Sequence, residues 1–330
     1  MNLTTKDEIL SRFLNANNEP ISGQQLADEF GISRTAIWKH LQTLQDEGYT
    51  FETIKKKGYL LTTTPDRVDP ARITSYLETA RLGHTIRYFE EITSTQTFAH
   101  ELVRNGAIDG TVVVAESQSA GKGRMARPWE STKGKGIWMT IIIRPNVLPH
   151  QAPQFTLIAA VAVVNAIKSL HKSINPEIKW PNDILIDGKK CTGILTEMIA
   201  EMDGVQALLI GIGINVNQQK EDFPEELQNI ATSLSIEANE KLNRAKLIAT
   251  TLKYLEKYID LYLQVGFEPI KTLWEEFSGT IGKRIKATTL REVVEGMAIG
   301  ITSDGVLEVK VDDGEIKRIY SADIEIEKPI

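Results

Sequence analysis

The chain has 330 residues, of which 42% are hydrophobic and 25% are charged, and its formal net charge is −6 at pH 7. These values indicate an ordinary globular protein of two or three domains, and any contact with nucleic acid must use a local basic patch. The single cysteine, Cys191, excludes an intrachain disulfide framework and fits a reducing cytoplasm. Neither secretion nor membrane insertion is expected, because the sequence has no apolar leader and no run of about eighteen apolar residues.

Residues 1–64 have the pattern of a winged helix-turn-helix domain. After a first amphipathic helix, Ser22 caps a second helix that Gly31 ends, and Ser33 caps a third. The outer face of the third helix and the lysine-rich tip of a following hairpin would meet DNA. A protein-contact role stays open, because small winged domains also bind proteins and this segment is not net basic. The candidate DNA contacts are Arg34, Thr35, Trp38, Lys39, Gln42, Lys55, Lys56 and Lys57.

The central segment, residues 65–277, mixes strand and helix patterns after an expected linker between Pro65 and Pro70. Apolar runs predict strands at 111–116, 137–143 and 207–216, and helices at 155–170 and 244–263. The Asp187-Gly188 pair predicts a hairpin turn. Because hairpins interrupt the alternation of strand and helix, the pattern favours an α+β domain over a doubly wound one.

The last segment, residues 278–330, changes to short strands separated by turn signals. Asp304-Gly305 and Asp313-Gly314 stand between apolar runs of four to nine residues. This spacing predicts a small β-barrel.

The stretch with the greatest capacity to bind an anion is the loop from Gln118 to Trp129, which holds two glycines and three cations. Glycine lets backbone amides approach a ligand closely, and Lys and Arg attract phosphate or carboxylate. The spacing Gly121-x-Gly123-x-x-Ala126 also fits a dinucleotide fingerprint. That interpretation is weaker, because no helix pattern follows and no acidic residue stands between 131 and 176. A solvated basic loop is the plain alternative.

Five motifs in order resemble those of the biotin–protein ligases that double as biotin operon repressors. They are Ser94-Thr95-Gln96, the 118–129 loop, Lys179-Trp180-Pro181-Asn182-Asp183, the stretch from Gly188 to Glu197, and the stretch from Gly211 to Val216. The resemblance covers essentially the whole chain. It implies a winged helix-turn-helix domain (1–64), a mixed α/β catalytic domain like class II synthetases (65–277) and an SH3-like barrel (278–330).

The resemblance implies an enzyme that joins biotin to ATP as biotinyl-5′-adenylate and then biotinylates a lysine of a biotin carboxyl carrier protein. It also implies a repressor that binds operator DNA as a homodimer when loaded with the adenylate. The implied substrates are biotin and ATP with Mg²⁺, for which Asp183 is a candidate ligand, although capping a turn is an equal alternative. This chain departs from the family at two positions. The family often has Arg-Gly-Arg in the loop, where this chain has Lys122-Gly123-Arg124, and it often has Ser-Thr-Asn in the first motif, where this chain ends with Gln96.

The resemblance carries over three sets of residues. Cations must neutralise the charge that builds when a carboxylate approaches a phosphate, and Lys190 is the candidate bridge between the two groups. The catalytic set is Lys190, Arg124 and Arg127. The biotin set is Ser94, Thr95, Gln96, Gln118, Lys122, Gly123, Arg124 and Lys190. The ATP and adenylate set is Gly121, Lys122, Arg124, Arg127, Trp129, Lys190 and Asn215.

Two other classes of function stay open on the sequence alone. A ligand-sensing transcription factor without catalysis would keep the pocket and the winged domain. A redox repressor would combine the winged domain with a nicotinamide-binding domain.

Overall fold

A computed structural model describes residues 4–201 and 204–327. The helices are α1 (Thr5–Leu14), α2 (Gly23–Phe30), α3 (Arg34–Asp46), α4 (Pro70–Thr74), α5 (Thr95–Arg104), α6 (Ala152–Leu170), α7 (Leu234–Ala238), α8 (Arg244–Val265) and α9 (Glu268–Glu276). The strands are β1 (Thr50–Ile54), β2 (Gly58–Thr63), β3 (Thr85–Phe89), β4 (Thr111–Ala115), β5 (Gly136–Ile143), β6 (Glu177–Lys179), β7 (Asp183–Ile186), β8 (Lys189–Glu201), β9 (Gly204–Asn215), β10 (Arg284–Thr288), β11 (Val293–Ile301), β12 (Leu307–Lys310), β13 (Ile316–Ile319) and β14 (Asp323–Ile326).

The first domain consists of α1, α2, α3 and the β1–β2 hairpin. Thr4, Ser22 and Ser33 each accept a hydrogen bond from the backbone N–H three residues on, which satisfies a donor that the helix start leaves free. The helices close around a separate apolar core that includes Leu26 and Leu44. The wing is fixed to the helices by pairing between Ile21 and Tyr59. The predicted winged helix-turn-helix architecture is therefore present.

The central domain is built on a seven-stranded sheet in the order β3-β4-β5-β9-β8-β7-β6. Only the β3–β4 pair is parallel; the other pairs are antiparallel. The β7–β8 hairpin turns at Asp187 and Gly188, whose φ angles are 48° and 77°. Helix α5 covers one face of the sheet, and α6 and α8 cover the other. This is the α+β arrangement that the sequence predicts.

Helix α6 is apolar on all sides because it lies between the sheet and α8. By length and composition, the stretch Pro149–Leu170 is apolar enough to cross a membrane, but 67% of its apolar window is buried inside the fold. A buried core helix explains that composition.

The last domain is a five-stranded antiparallel sheet in the order β13-β12-β11-β10-β14. Its apolar face joins the core of the central domain, and Trp180 Nε1 donates to the Gly305 carbonyl across the boundary at 3.2 Å. The predicted three-part α+β fold is confirmed.

The segment between the first two domains differs from the linker expected from its two prolines. Pro70 is the first residue of α4, and Asp69 caps that helix while it also accepts a 2.6 Å hydrogen bond from Tyr49 Oη. The neighbouring Asp66 is paired with the buried Arg244 at the start of α8. The segment is thus bonded to both domains. No local sequence pattern indicates this, because Arg244 is 178 residues away.

Gly58 is expected to be essential to the wing. A Cβ there would lie 2.2 Å from the Ile21 carbonyl oxygen, so Gly58→Ala should lower the free energy of unfolding by about 3 kcal/mol or more. Gly31→Ala is the control, because Gly31 also has a positive φ but open space around it, and should cost only about 1–2 kcal/mol. Calorimetry of the full chain checks the difference; equal losses would contradict the predicted clash.

Candidate active site

The loop after β4 folds back on itself over the sheet. Gly123 N donates to the Arg127 carbonyl at 2.8 Å, and Trp129 N donates to the Gly121 carbonyl at 3.0 Å. At the tip, a 3-10 turn (Arg124–Ala126) contains Met125 and Ala126 with φ of 55° and 57°. Non-glycine residues in this left-handed region cost free energy, so these bonds hold the loop in a strained shape.

A group of neutral side chains lies under the loop. Gln118 Oε1 accepts hydrogen bonds from Thr95 N at 2.8 Å and from Thr95 Oγ1 at 3.1 Å, and Gln118 Nε2 donates to Ser131 Oγ at 2.9 Å. Thr140 Oγ1 lies 2.9 Å from Thr95 Oγ1. These bonds fix the Gln118 amide orientation, so the group presents hydroxyl and amide atoms of known polarity without a net charge.

The side-chain amide of Gln96 is hydrogen-bonded to other protein groups through both its nitrogen and its oxygen. Its Nε2 donates to Glu197 Oε2 at 3.0 Å and to the Leu209 carbonyl at 3.3 Å, and its Oε1 lies 3.0 Å from Thr140 Oγ1. Both amide hydrogens therefore already have protein acceptors. Ser94 is also buried, and it caps α5 through the Thr97 N–H.

A second, cationic group faces the same space. Lys190 Nζ lies 2.7 Å from Asp183 Oδ1, and Arg124 donates to Asn182 Oδ1 at 3.2 Å and to Ser321 Oγ at 2.8 Å. Burial lowers the pKa of Arg124 from its ordinary value. The pair of Lys190 and Asp183 is formed across the β7–β8 hairpin that turns at Asp187-Gly188.

Arg127 takes a more peripheral position than Arg124. It forms an ion pair with Asp323 at the start of β14, and 63% of its side chain is exposed. Lys122 is also exposed at the edge of the loop. These two cations therefore lie toward solvent, whereas Arg124 and Lys190 are half-buried.

Trp129 lies against strands β8 and β9 at the end of the loop. Its indole lies on Gly193 and Gly213, where a Cβ would come within 2.8 and 2.4 Å of ring atoms. Lys190 Nζ is 5.3 Å from the centre of its ring, a distance at which a cation is attracted to an aromatic face. Ser131 Oγ, which accepts from Gln118, donates to the Trp129 backbone carbonyl at 3.0 Å.

Both groups line one cavity of about 340 Å³, the size of a small-molecule site. The cavity brings together on its walls every residue predicted for biotin, the nucleotide or magnesium except Gly121, which is buried within the loop. The predicted residues on its walls are Ser94, Thr95, Gln96, Gln118, Lys122, Gly123, Arg124, Arg127, Trp129, Asp183, Lys190 and Asn215.

Asn215 contacts the cavity but bonds mainly to the segment that follows it. Its Nδ2 donates to the Thr232 carbonyl at 3.1 Å, and its Oδ1 accepts from Gln218 Nε2 at 3.1 Å. The segment held in this way places Phe223, Leu227 and Ile230 on the cavity wall.

The described residues contain no group of three or more His, Cys, Asp or Glu side chains that could hold a metal ion. Asp183, the predicted magnesium ligand, is already paired with Lys190. Cys191 is buried, and burial raises the pKa of its thiol to about 12, so it is not a nucleophile near neutral pH.

The predicted DNA contacts are all exposed. Along α3 these are Arg34, Thr35, Trp38, Lys39 and Gln42, and Trp38 is 51% exposed although it is aromatic. The three lysines Lys55, Lys56 and Lys57 occupy the turn between β1 and β2.

Three family models match the chain. Residues 88–215 match the biotin/lipoate A/B protein ligase family, residues 6–60 an HTH domain, and residues 280–326 the C-terminal domain of biotin protein ligases. The bifunctional ligase/repressor BirA of Bacillus subtilis is 49% identical over 99% of this chain and 100% of its own length. The Escherichia coli protein of the same name is 30% identical over 94% of each chain.

The chain belongs to the bifunctional biotin ligase/repressor family. A solved structure of a biotin protein ligase from Aquifex aeolicus with biotin and ATP supports the catalytic fold, with a TM-score of 0.65 and 26% identity over 74% of this chain and all of that one. Membership confirms the enzyme class predicted from the sequence, a biotin–protein ligase joined to an HTH domain. It leaves the nicotinamide-binding alternative without support.

Several residues in or next to the cavity were not predicted from sequence. Thr140 in β5 completes the neutral group, and Asn182, although inside a matching motif, was not assigned a contact with Arg124. Ser321 and Asp323 come from the C-terminal sheet, about 200 positions from the arginines that they contact. A single sequence has no local signal for contacts of this range.

Gly121 is expected to be the loop glycine that cannot be replaced. A Cβ there would lie 2.4 Å from the Trp129 carbonyl oxygen, and so would displace the loop, whereas a Cβ at Gly123 meets only the Arg127 carbonyl at 3.5 Å. Gly121→Ala should therefore reduce pyrophosphate release from biotin and ATP by about tenfold or more, and Gly123→Ala should change it little. Equal activity of the two variants in this assay would show that close packing of the loop does not matter.

Proposed function

We propose that the cavity binds biotin at its neutral group and ATP at its cationic group, and that it forms biotinyl-5′-adenylate. The observation that carries this proposal is the presence of both groups in one cavity, which Trp129 also lines. A neutral donor–acceptor group suits the uncharged ureido ring of biotin. Two half-buried cations suit the meeting of its carboxylate with a phosphate.

The residues of the neutral group divide into contacts and supports. Thr95 and Gln118 are the proposed biotin contacts, because Gln118 keeps one amide hydrogen free of the described bonds. Ser94 and Gln96 are assigned to the same pocket, where the buried amide of Gln96 orients Thr140 and thereby Thr95.

In the first step, a carboxylate oxygen of biotin attacks the α-phosphorus of ATP, and the bond to the β-phosphate oxygen breaks to release pyrophosphate. Two anions must approach, so charge neutralisation is the main demand on the protein. Lys190 and Arg124 meet this demand because Asp183 and Asn182 hold their side chains in the cavity. Lys122 and Arg127, which are more exposed, are assigned to the outer phosphates.

The nucleotide end of the cavity has an apolar wall. Phe223, Leu227 and Ile230 suit an adenine ring, with Trp129 closing the other side and Asn215 holding the segment that carries the apolar side chains. Mg²⁺ enters this proposal as part of the ATP substrate, since Mg²⁺ is commonly held by phosphates and one or two carboxylates. Asp183 is the carboxylate proposed for that contact, in exchange for its bond with Lys190.

In the second step, a lysine amine of a biotin carboxyl carrier protein attacks the biotinyl carbonyl, and AMP leaves. The acceptor is thus a biotin-dependent carboxylase subunit. We infer a cytoplasmic location, because the carrier, the DNA and the reduced Cys191 belong to that compartment.

Lys190→Ala is expected to slow adenylate formation by about 100-fold or more, because it removes a cation where charge develops, while biotin binding falls little. Lys189→Ala is the matched control, since Lys189 is the exposed neighbour on the same strand. Pyrophosphate release and calorimetric titration with biotin measure the two effects. Wild-type pyrophosphate release by Lys190→Ala would contradict the assignment.

We also propose that the winged domain represses biotin genes by binding a two-half-site operator as an adenylate-loaded homodimer. Each copy offers only a few phosphate contacts, from Arg34, Lys39 and the wing lysines, so a single copy would bind weakly. Two linked copies raise the effective concentration of the second contact. Ligand dependence then requires that the adenylate favour the dimer.

Lys55→Gln with Lys57→Gln is expected to weaken operator binding and to reduce the slope of log affinity against log salt by about 1 per lysine in each bound copy. The probe is a DNA duplex selected from a random pool by this protein with biotin and ATP. Lys241→Gln, an exposed lysine of the catalytic domain, is the control and should leave the slope unchanged. An unchanged slope in the double variant would place the wing away from DNA.

A further inference from the structure

The buried Arg244 joins elements that are distant in sequence. It is fully buried, and its Nε donates to Asp66 Oδ2 at 2.9 Å while its Nη1 donates to Glu116 Oε2 at 2.9 Å and to the Gly136 carbonyl at 3.0 Å. Nη2 donates to the Asp66 carbonyl. One guanidinium thus holds the start of α8, the segment between the first two domains, the end of β4 and the start of β5.

Each partner of Arg244 is connected to a residue of the active site by a short stretch of chain, by strand pairing or by a hydrogen bond. Glu116 stands two residues before Gln118, and Gly136 pairs with Asn215 across the sheet. Asp66 Oδ2 also accepts from Asn217 Nδ2 at 2.8 Å, two residues beyond Asn215. The strand ends that carry the neutral group and the nucleotide wall therefore meet at one ion cluster, in which Arg244 and Glu116 are buried and Asp66 is partly exposed.

The same cluster holds the segment that leads to the winged domain. The two oxygens of Glu116 have different partners: Oε2 accepts from Arg244, and Oε1 accepts from the Val68 N–H at 2.9 Å. Next in the chain, Asp69 is bonded to Tyr49 of the winged domain. A displacement of residues 116–118 would therefore move both an active-site strand end and the attachment of the winged domain.

We propose that Arg244 and Glu116 are positioning residues for Gln118, and that their bonds to Asp66 and Val68 couple occupancy of the ligase site to the winged domain. The coupling part rests on the ligand-dependent DNA binding proposed above. Buried ion pairs are well suited to this task because they are costly to leave half-formed, so the cluster favours a few discrete arrangements over gradual deformation.

The alternative is that the cluster only stabilises the fold. A merely structural role predicts that variants change stability and leave the ligand dependence of DNA binding as it was. The coupling role predicts a change in that dependence, which is the ratio of operator affinities with and without biotin and ATP. The two roles are therefore separable by measurement.

The test compares three full-length variants. Asp66→Asn weakens the attachment of the segment, Glu116→Gln weakens both the attachment and the support of Gln118, and Lys246→Gln is the control. Lys246 is exposed on α8, two residues beyond Arg244. Operator affinity is measured with the DNA duplex selected from the random pool. The rate of adenylate release is measured from the amount of adenylate that a filter retains with the protein over time. Hydrogen exchange of residues 60–70 is measured with and without biotin and ATP.

Asp66→Asn is expected to reduce the affinity ratio by about tenfold or bring it near one, with pyrophosphate release within about threefold of wild type. Glu116→Gln should also release the adenylate about tenfold faster, and Lys246→Gln should change neither quantity. In the wild type, biotin and ATP should slow hydrogen exchange of residues 60–70, and Asp66→Asn should lose this effect.

A folded Asp66→Asn protein that keeps the wild-type affinity ratio and the wild-type exchange response would overturn the inference. If the wild type itself shows no ligand dependence on DNA, the proposed repressor coupling fails. In that case adenylate release from Glu116→Gln still decides the positioning role, because a wild-type release rate overturns it and faster release supports it.

Discussion

The active site depends on the contact between Trp129 and two glycines. Gly193 and Gly213 lie opposite each other in β8 and β9, and together they leave a flat stretch of backbone on which the indole rests. A side chain at either position would lift the indole and, with it, the loop from Gln118 to Trp129. Because the loop carries Arg124 and borders the neutral group, this glycine pair sets the distance between the two halves of the cavity.

Three of the four cavity cations, Arg124, Arg127 and Lys190, already have partners within the protein. Lys190 is paired with Asp183, Arg127 with Asp323, and Arg124 is bonded to neutral oxygen atoms only. The pair formed by Arg127 is exposed, and such pairs contribute only about 0–1 kcal/mol, so a triphosphate can replace the carboxylate at small cost. Arg124 needs no such exchange, because its neutral partners can stay in place while it meets an anion.

The sequence predicted the elements well where the signal is local. Apolar runs and helical periodicity predicted β4, β5, β9 and the long helices α6 and α8, and the Asp187-Gly188 pair predicted the turn that brings Lys190 to Asp183. The short strands β3 and β6 were not predicted. Five motifs in order identified the cavity wall. Sequence could not predict that both amide hydrogens of Gln96 are used inside the protein, because the acceptors Glu197 and Leu209 come from strands more than 100 residues away.

The same limit explains the segment between the first two domains. Two prolines and a composition change are typical of a linker, but contacts with distant residues, among them the buried Arg244 and Tyr49, fix the segment. This attachment bears on how one ligand can serve two activities. A ligand shifts a conformational equilibrium only through a difference in its affinity for the two states. Glu116, two residues before Gln118, offers such a difference. One oxygen of its carboxylate accepts a hydrogen bond from Arg244, and the other accepts one from the Val68 N–H of the segment.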